Sequence, residues 1–310
     1  MDSFVVGVDG GGTKTRALLA DERGDRISEA IGAGSAVRPQ EIERSAGVIA
    51  GVVRDALEAA AKGQQRARVL CVGVAGAGRE PERQALQDAL IALEVAEEVV
   101  VQTDLAIALD DAFGEGPGVL LIAGTGSSAF GRGPAGTTAR CGGWGPVIGD
   151  EGGGAWIGRR ALSVVSASAD GREPETALTG AILTATESSE TSDLIRWAST
   201  ATPAALATLA PVVMTVADTG DLRANSIVSL AVEELALHVR SLARQLFVDE
   251  RASVPVAFTG GLLAKGATLR KRLEHRLKSA VPGAHIHAEP IDPARGAVKI
   301  ALRHLAELTA

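Results

Sequence analysis

The sequence predicts an α/β protein made of two similarly built lobes, and three observations lead to this fold class. Short apolar runs typical of strands alternate along the chain with segments whose apolar residues recur at helical spacing. A strand, a glycine-rich turn and a second strand occur as VVGVDGGGTKTRALLA near the start and again as GVLLIAGTGSSAFGRG from residue 118. The sequence GEGPG at 114–118 interrupts the pattern between them. We therefore predict lobes at residues 1–117 and 118–310.

The first lobe contains the following predicted elements in order. Residues 4–30 predict a three-stranded meander, residues 41–62 a helix, residues 68–77 a buried strand, residues 80–94 an amphipathic helix, residues 98–104 a strand and residues 105–113 a short helix.

The second lobe repeats the strand, turn and strand and then becomes mostly helical between residues 155 and 250. The run VPVAFTGG at 254–261 predicts a strand, which is followed by a helix within 266–280 and a short strand at 285–290. Asp292 and Pro293 predict the start of the final helix, with the aspartate as cap and the proline in the first turn.

Composition and charge exclude several classes of protein. The chain has 310 residues, of which 46% are hydrophobic and 22% are charged, and this suits two globular domains. Its net charge of -7 argues against a nucleic-acid or anionic-membrane partner. No apolar run reaches the roughly 18 residues of a membrane span, and the first residues lack the basic segment of a signal peptide. Cys71 and Cys141 are the only cysteines, so we expect a cytoplasmic protein without a disulfide framework.

The first glycine-rich turn has the composition of a phosphate-binding turn. Its backbone N–H groups can cradle a phosphate, and we assign nucleotide binding to Asp9, Gly11, Gly12, Thr13 and Lys14. Asp9 ends the first strand, where it can hold Mg²⁺ through water. The turn is neither a Walker A loop nor a dinucleotide fingerprint, because a strand pattern rather than a helix follows it. A plain glycine-rich hairpin turn remains the alternative.

The second turn has the same composition with added hydroxyl groups. It contains Gly124, Thr125, Gly126, Ser127 and Ser128. Two such turns, each at the start of a lobe, are harder to explain as coincidence than one. The pair therefore predicts two hairpins that bind one polyphosphate.

The third glycine motif follows the strand at 254–259. Gly260 and Gly261 permit the close approach of a flat ligand such as adenine, and Lys265 follows them. A tight turn between a strand and a helix is an equally good interpretation of this motif taken alone.

Asp104 is the candidate catalytic base. It lies at the carboxyl end of a predicted strand, where open α/β sheets bind their ligands. Its position also suits the N-cap of the following helix, and the two roles are compatible. Because the phosphate-binding turns are present, we favour the base.

The order of these motifs resembles a known family. VGVDGGGTKT, Thr103-Asp104, IAGTGSS, CGGWGPVIGDEGG at 141–153 and the later TGG are similar to the N-acetylglucosamine kinase group of the BadF/BadG/BcrA/BcrD ATPase family. That family belongs to the superfamily of acetate kinase, sugar kinases, Hsp70 and actin. The resemblance implies a duplicated, two-lobed actin-like ATPase (ribonuclease H-like) fold whose last helix packs back on the first lobe. It also implies ATP and Mg²⁺ as cofactors, a small-molecule sugar as substrate and a homodimer.

The resemblance assigns roles to individual residues. Asp104 matches the aspartate that takes the proton from the 6-hydroxyl of N-acetylglucosamine, while Thr13 and Thr125 match residues that contact ATP. Gly261 and Lys265 match the region that contacts the base and ribose. The part of the family pocket that contacts the sugar is matched by Ser127, Ser128, Gly143, Trp144, Gly145 and Asp150. Whether Asp150 or the adjacent Glu151 makes the main sugar contact stays open.

One departure from the family concerns the substrate. The family has an asparagine that contacts the sugar, and the matching position here is Ala36 within IGAGSAVRP. Glucosamine and N-acetylmuramic acid are therefore alternative substrates. Alternatives of another class are a non-catalytic sugar sensor and an iron–sulfur ATPase activator of a reductive dehydratase, although the activator needs cysteine ligands.

Overall fold

The computed structural model describes residues 3–63, 65–247, 249 and 252–310. The chain forms two compact units, Met1–Glu115 with Ile291–Ala310 and Gly116–Pro290. The boundary lies at Glu115/Gly116, two residues before the position expected from the sequence. The segment 291–310, placed by sequence in the second lobe with a return to the first, is part of the first unit.

The first unit is a five-stranded sheet with helices on both faces. Its strands are β1 (Phe4–Gly10), β2 (Lys14–Asp21), β3 (Arg26–Ala33), β4 (Ala67–Val74) and β5 (Ala96–Thr103). Its helices are α1 (Ile42–Ala59), α2 (Glu80–Ala92), α3 (Asp104–Phe113) and α11 (Pro293–Thr309). The strand order is β3-β2-β1-β4-β5.

Strand β1 contributes buried side chains to both faces of this sheet, because successive side chains of a strand point to opposite sides. Phe4, Val6 and Val8 belong to the core cluster that includes buried residues of α1 and α2. Val5 belongs to a second cluster that includes Ile107 of α3 and the buried face of α11. A strand that is buried on both sides reads as an unbroken apolar run, as it does here.

The second unit is built on another five-stranded sheet. Its strands are β6 (Gly118–Ala123), β7 (Ser127–Arg132), β8 (Thr138–Gly142), β9 (Val254–Thr259) and β10 (Ala284–Ile286). Its helices are α4 (Gly154–Ala169), α5 (Leu178–Ala185), α6 (Asp193–Thr200), α7 (Pro203–Ala207), α8 (Leu209–Asp218), α9 (Leu222–Leu246) and α10 (Thr268–Ala280). A 3₁₀ turn covers Gly261–Leu263. Strand β8 was not predicted, because a short run with the sequence TARCG carries no clear apolar alternation.

The two sheets have the same topology. The order β10-β9-β6-β7-β8 reproduces the order of the first sheet, read from the opposite edge. In both sheets the first strand pairs antiparallel with the second and parallel with the fourth, and the second pairs antiparallel with the third. The internal repeat predicted from the two glycine-rich turns is therefore a duplicated fold.

The core of the second unit lies between its sheet and the helices α4 to α10. Helix α9 is 25 residues long and buries a stripe along its length that includes Ile227, Leu235 and Leu242. Trp156 is buried in this core and Trp197 packs against it.

Within the described residues, no single helix is long and apolar enough to cross a membrane, and the one helix pair that meets the test together, Pro203–Asp218 with Leu222–Leu246, is bent by 120°.

Candidate active site

The turn between β1 and β2 in the first unit is held by its own backbone. The N–H of Gly11 donates to the carbonyl of Lys14 at 2.9 Å, which closes the turn. The carbonyl of Gly11 accepts hydrogen bonds from the N–H groups of Ser35 at 3.0 Å and Ala36 at 3.1 Å. Thr13 is exposed at the tip. The turn is thereby fixed to the segment that carries Ala36 while its tip faces solvent.

The glycines of this turn differ in whether neighbouring atoms would exclude a side chain. A Cβ atom at Gly10 would lie 2.6 Å from Oγ of Ser35, so close packing excludes a side chain there. A Cβ atom at Gly12 would meet nothing within 4 Å. None of Gly10, Gly11 and Gly12 has a φ in the left-handed region. The surrounding structure therefore does not exclude a side chain at position 12.

Asp9 and Asp104 lie at the same edge of the first sheet. Strand β4 pairs parallel with both β1 and β5, with Asp9 opposite Gly73 and Val74 opposite Thr103. The carboxyl ends of these strands therefore meet at one edge, and Asp104 follows directly as the first residue of α3. Two of the predicted site residues are thus brought together, as expected for the ligand-binding edge of an α/β sheet.

Thr103, not Asp104, caps helix α3. The Thr103 side chain accepts a hydrogen bond of 3.0 Å from the N–H of Ala106. This corrects the interpretation of Asp104 as an N-cap, because Asp104 lies one position inside the helix. A carboxylate in the first turn still interacts favourably with the helix dipole. The position of Asp104 is therefore not explained by capping.

The environment of Asp9 is unfavourable for a lone carboxylate. Burial raises the pKa of Asp9 to about 6, the negative charges of Asp104 and Asp292 add to the rise, and Lys14 and Arg16 oppose it. A divalent cation would relieve this repulsion. Among the described residues, no group of three or more His, Cys, Asp or Glu side chains forms a metal cluster. Asp9 offers one carboxylate at this edge, and Mg²⁺ is a cation that keeps several waters and binds through few carboxylates together with substrate phosphates.

An ion-pair network not predicted from the sequence joins α11 to this edge. Arg16 donates from Nη1 to Oδ1 of Asp292 at 2.7 Å and from Nη2 to Oε2 of Glu29 at 2.8 Å. Asp292 also caps α11, because its side chain accepts from the N–H of Arg295 at 3.3 Å. Arg16 and Asp292 are 276 positions apart in sequence, so no local pattern could have revealed the pair.

A pocket of about 280 Å³ adjoins this turn. It is lined by Gly12, Gly34, Ala36, Arg38, Glu41 and Arg44. Gly34 is required here, because a Cβ atom on it would lie 2.3 Å from the carbonyl oxygen of Gly12. The pocket is therefore contiguous with the predicted phosphate-binding turn and contains the position where the family asparagine was expected.

The turn between β6 and β7 in the second unit is joined to the start of α4. The N–H of Gly154 donates to the carbonyl of Gly124 at 2.8 Å, and the N–H of Ala155 donates to the carbonyl of Thr125 at 2.9 Å. A 16-residue helix thus begins against the turn. The first two N–H groups of α4 are occupied by carbonyls of the turn, so the helix contributes to the turn only the partial positive potential of its N-terminus.

Asp150 lies directly against this turn. A Cβ atom at Gly126 would be 2.3 Å from Oδ2 of Asp150, which shows how closely the carboxylate approaches. Asp150 has a φ of 60°, and its Oδ1 accepts a hydrogen bond of 3.2 Å from the N–H of Gly145. Glu151 instead lines a separate pocket with Arg159 and others. Of the two acidic residues left open by the sequence, Asp150 is the one beside the turn.

The remaining predicted sugar-contact residues have different surroundings. Ser127 is buried and donates from Oγ to the carbonyl of Glu151 at 2.6 Å, so its hydroxyl holds the loop that carries Asp150. Gly143 and Gly145 have φ of 68° and 90°. Trp144 between them is 72% exposed, which leaves its ring open to a ligand. Ser128 pairs with Gly142 across β7 and β8.

The third glycine motif lies at the same edge of the second sheet. Ile122 of β6 pairs in parallel with Thr259 of β9, so the turns that follow these strands are neighbours. Gly260 has a φ of 96°, and a Cβ atom on it would lie 2.3 Å from the carbonyl oxygen of Ala123. At Gly261 a Cβ atom would meet nothing within 4 Å, and Lys265 is exposed. The predicted base-binding motif is therefore next to the second glycine-rich turn.

A family profile described as the BadF/BadG/BcrA/BcrD ATPase family matches residues 6–301. The chain belongs to this family. The resemblance inferred from the five sequence motifs is thereby confirmed. The match covers the residues of both glycine-rich turns and the segment that carries Asp150.

Relatives of this BadF/BadG/BcrA/BcrD family member are similar over nearly their whole length. An N-acetylmuramic acid/N-acetylglucosamine kinase of Clostridium acetobutylicum is 30% identical over 300 residues, covering 96% of this chain and 98% of that protein. An N-acetyl-D-glucosamine kinase of Dictyostelium discoideum is 28% identical over 310 residues, covering 96% and 97%. A solved structure from Chromobacterium violaceum, described as a candidate N-acetylglucosamine kinase, has a TM-score of 0.78 at 30% identity and covers 97% of this chain and 99% of that one. The predicted duplicated actin-like ATPase fold is confirmed.

Proposed function

We propose that this protein is an ATP-dependent amino-sugar kinase that phosphorylates the 6-hydroxyl of N-acetylglucosamine or a close derivative. The observation that carries the proposal is the placement of Asp104 beside Asp9 at the carboxyl edge of the sheet, where Thr103 takes over the capping role. The similarity to kinases named for N-acetylglucosamine over about 96% of the chain supports the substrate class.

Asp104 is the base in this proposal. Phosphoryl transfer requires positioned phosphates, neutralised charge and a group that accepts the proton of the attacking hydroxyl. The Asp104 carboxylate accepts that proton, and a side chain fixed in the first turn of α3 can be held in one place for it. Asp150 offers carboxylate oxygens to ring hydroxyls, and Trp144 offers an apolar surface to the sugar.

The glycine-rich turns bind the phosphates of ATP in this proposal. Gly12 and Gly124 leave open space beside the backbone, and the start of α4 adds positive potential at the second turn. Gly260, Gly261 and Lys265 bind the base and ribose. When bound, Mg²⁺ neutralises charge on the phosphates, and Asp9 is the residue that would hold it through water.

An ADP-release assay with a panel of sugars at equal concentration tests the function, and NMR of the product tests the position of the phosphate. We expect N-acetylated amino sugars to give the highest kcat/KM and a 6-phosphate to form. If glucose, or another sugar without nitrogen at carbon 2, gives the highest kcat/KM, the amino-sugar assignment is wrong. We also propose a cytoplasmic homodimer, which light scattering of the purified protein tests for its oligomeric state.

The alternative function of an iron–sulfur ATPase activator lacks suitable ligands. Cys71 is fully buried within β4, and burial raises the pKa of its thiol, which disfavours the thiolate that a cluster requires. Cys141 lies in the other unit, in β8. A purified protein with an iron–sulfur absorption band would favour this alternative over the kinase.

A further inference from the structure

Arg16 lies directly beside Asp9 in the first sheet. The two residues are opposite each other in the antiparallel pairing of β1 and β2, so their side chains point to the same face, with Cβ atoms roughly 4.5–5.5 Å apart. Burial is the main reason that the pKa of Asp9 is raised, and the opposing charge of Arg16 is the smallest of the five named influences on it. The neighbouring cation therefore leaves the Asp9 carboxylate largely uncompensated.

Two other carboxylates engage the Arg16 guanidinium. Its Nη1 donates to Oδ1 of Asp292 at 2.7 Å, while Nε and Nη2 donate to Oε2 of Glu29 at 3.1 and 2.8 Å. All three nitrogens are thus in use, and among the described residues Arg16 forms no ion pair with Asp9. The side chains of Arg16, Asp292 and Glu29 are 24%, 28% and 29% exposed, so water screens these contacts less than it screens pairs on an open surface.

The position of Asp292 is set by the docking of α11. The N–H of Asp292 donates to Oδ2 of Asp111 at 2.7 Å, and its side chain caps the helix. The first turn of α11 packs directly on β1, because a Cβ atom at Gly7 would lie 2.4 Å from the carbonyl oxygen of Ala294. The docked helix therefore holds an acceptor for Arg16 at a fixed place.

A guanidinium group and a cation compete for the same carboxylate oxygens. A guanidinium that paired with Asp9 would occupy them in its preferred bidentate geometry. Mg²⁺ or its bound waters need those same oxygens. With two carboxylates already around one guanidinium, Arg16 has less electrostatic reason to pair with Asp9.

We propose that Asp292 and Glu29 are positioning residues that hold Arg16 away from Asp9 and so keep the Asp9 carboxylate available to the Mg²⁺ of the nucleotide complex. The inference rests on the proposed kinase function, because that function assigns Mg²⁺ to Asp9. The competing interpretation is that the three side chains only tie α11 to the sheet and do not act on Asp9.

Calorimetry of ADP binding, with Mg²⁺ or with EDTA in its place, measures the contribution of the cation without turnover. In the double variant Glu29→Gln/Asp292→Asn, Arg16 loses both charged acceptors and pairs with Asp9 instead. We expect the factor by which Mg²⁺ strengthens ADP binding to fall about tenfold, because a charged hydrogen bond must now be displaced. The affinity for ADP in EDTA should stay within about twofold. Asparagine is a good N-cap residue, so α11 should still begin at the same place.

Arg16→Gln separates positioning from a simple effect of charge. In the unmodified protein Arg16 is held away from Asp9, so we expect this substitution to change the contribution of Mg²⁺ by less than about threefold. Added to the double variant, the same substitution should restore that contribution by about tenfold. A charge effect without positioning would give the same factor in both backgrounds, because the effects of independent sites add. Equal factors would therefore overturn the proposal.

Glu97→Gln is the matched control, because Glu97 forms an ion pair with Arg68 near the amino ends of β4 and β5, at the opposite edge of the same sheet. It should leave the contribution of Mg²⁺ unchanged. In the ADP-release assay, the double variant should have a higher KM for Mg²⁺, with kcat restored at saturating Mg²⁺ and the KM for sugar unchanged. If the double variant does not fold, Asp292→Asn alone carries the test, with an expected decrease in the Mg²⁺ contribution of about threefold.

The possible results separate this inference from the proposed function. If the unmodified protein neither binds ADP nor phosphorylates a sugar, the kinase assignment fails. If it does both but the double variant leaves the contribution of Mg²⁺ unchanged, the ion pairs only tie α11 to the sheet and the inference is wrong. A loss of ADP affinity that is equal in Mg²⁺ and in EDTA would also overturn it.

Discussion

The hydroxyl oxygen of Thr103 accepts a 3.0 Å hydrogen bond from the N–H of Ala106, and this pair leaves the neighbouring Asp104 without a capping function. We therefore expect Asp104→Asn to reduce kcat by about 10²–10⁴-fold, the usual contribution of a general base, and to lose no more than the roughly 0.3–1 kcal/mol that a first-turn carboxylate contributes through the helix dipole. Thr103→Ala is the control and should lose about 1 kcal/mol of stability through the cap. The ADP-release assay and thermal unfolding measure the two effects. Near-normal turnover of Asp104→Asn would show that another group accepts the proton.

Gly12→Ala tests whether a phosphate of ATP binds in the open space beside the first turn. No atom lies within 4 Å of the position of the new methyl group, and the local φ is not left-handed, so the melting temperature should stay the same or rise slightly. We expect the KM for ATP to rise about tenfold, because the methyl group would displace the phosphates. Gly180→Ala in α5 is the matched control, with equally open surroundings. An unchanged KM for ATP would mean that Gly12 only forms a hairpin turn.

Gly260→Ala should behave differently from Gly12→Ala. Gly260 has a φ of 96°, and the added Cβ atom would lie 2.3 Å from the carbonyl oxygen of Ala123. Both features oppose a side chain, so we expect a loss of stability of about 2 kcal/mol or more. Urea unfolding of the two variants measures this difference, and equal stability would contradict our account of the two glycines.

Asp150→Asn tests the proposed sugar contact while preserving the backbone conformation at this position. Asparagine tolerates the φ of 60° at this position and can still accept from the N–H of Gly145. It lacks the negative charge that strengthens hydrogen bonds to sugar hydroxyls. We expect the KM for sugar to rise about tenfold while the KM for ATP stays nearly constant. An equal rise in both values would place Asp150 with the phosphates instead.

The charge of Asp111 makes the free energy of unfolding depend on pH in the acidic range. Burial would raise its pKa, but hydrogen bonds from Arg295, the N–H of Asp292 and Lys299 outweigh burial and hold the pKa below its ordinary value. A group whose pKa is lower in the folded state contributes stability above the unfolded pKa of about 3.9 and loses it as pH falls. Asp111→Asn should cost about 2–3 kcal/mol at pH 7, less than for fully buried pairs, because both cations are half exposed.

Urea unfolding at several pH values tests this expectation. The difference between the unmodified protein and Asp111→Asn should be constant from pH 5 to 7 and should shrink below about pH 4. A difference that stays constant down to pH 2 would mean that the charge of Asp111 does not stabilise the fold.

The features predicted correctly from the sequence are those set by neighbouring residues. The apolar run around Val6 predicted β1, and Asp292 with Pro293 predicted the start of α11. Interactions between distant residues were missed, among them Arg16 with Asp292 and Ser127 with the carbonyl of Glu151. The residues adjacent in sequence to each partner do not indicate such pairs. The capping assignment failed for a related reason, since Thr103 and Asp104 are both good cap residues and only the backbone conformation distinguishes them.

Helix α11 belongs to the first unit although the whole second unit precedes it in sequence. During translation, residues 116–290 must therefore be synthesised before the first unit can be completed. Until α11 emerges from the ribosome, the face of the first sheet that contains Val5 and Val69 lacks the cover that α11 supplies. Asp111 meanwhile lacks the Arg295 and Lys299 side chains that neutralise it in the folded protein. The nascent first unit consequently reaches its native state only after translation of the second.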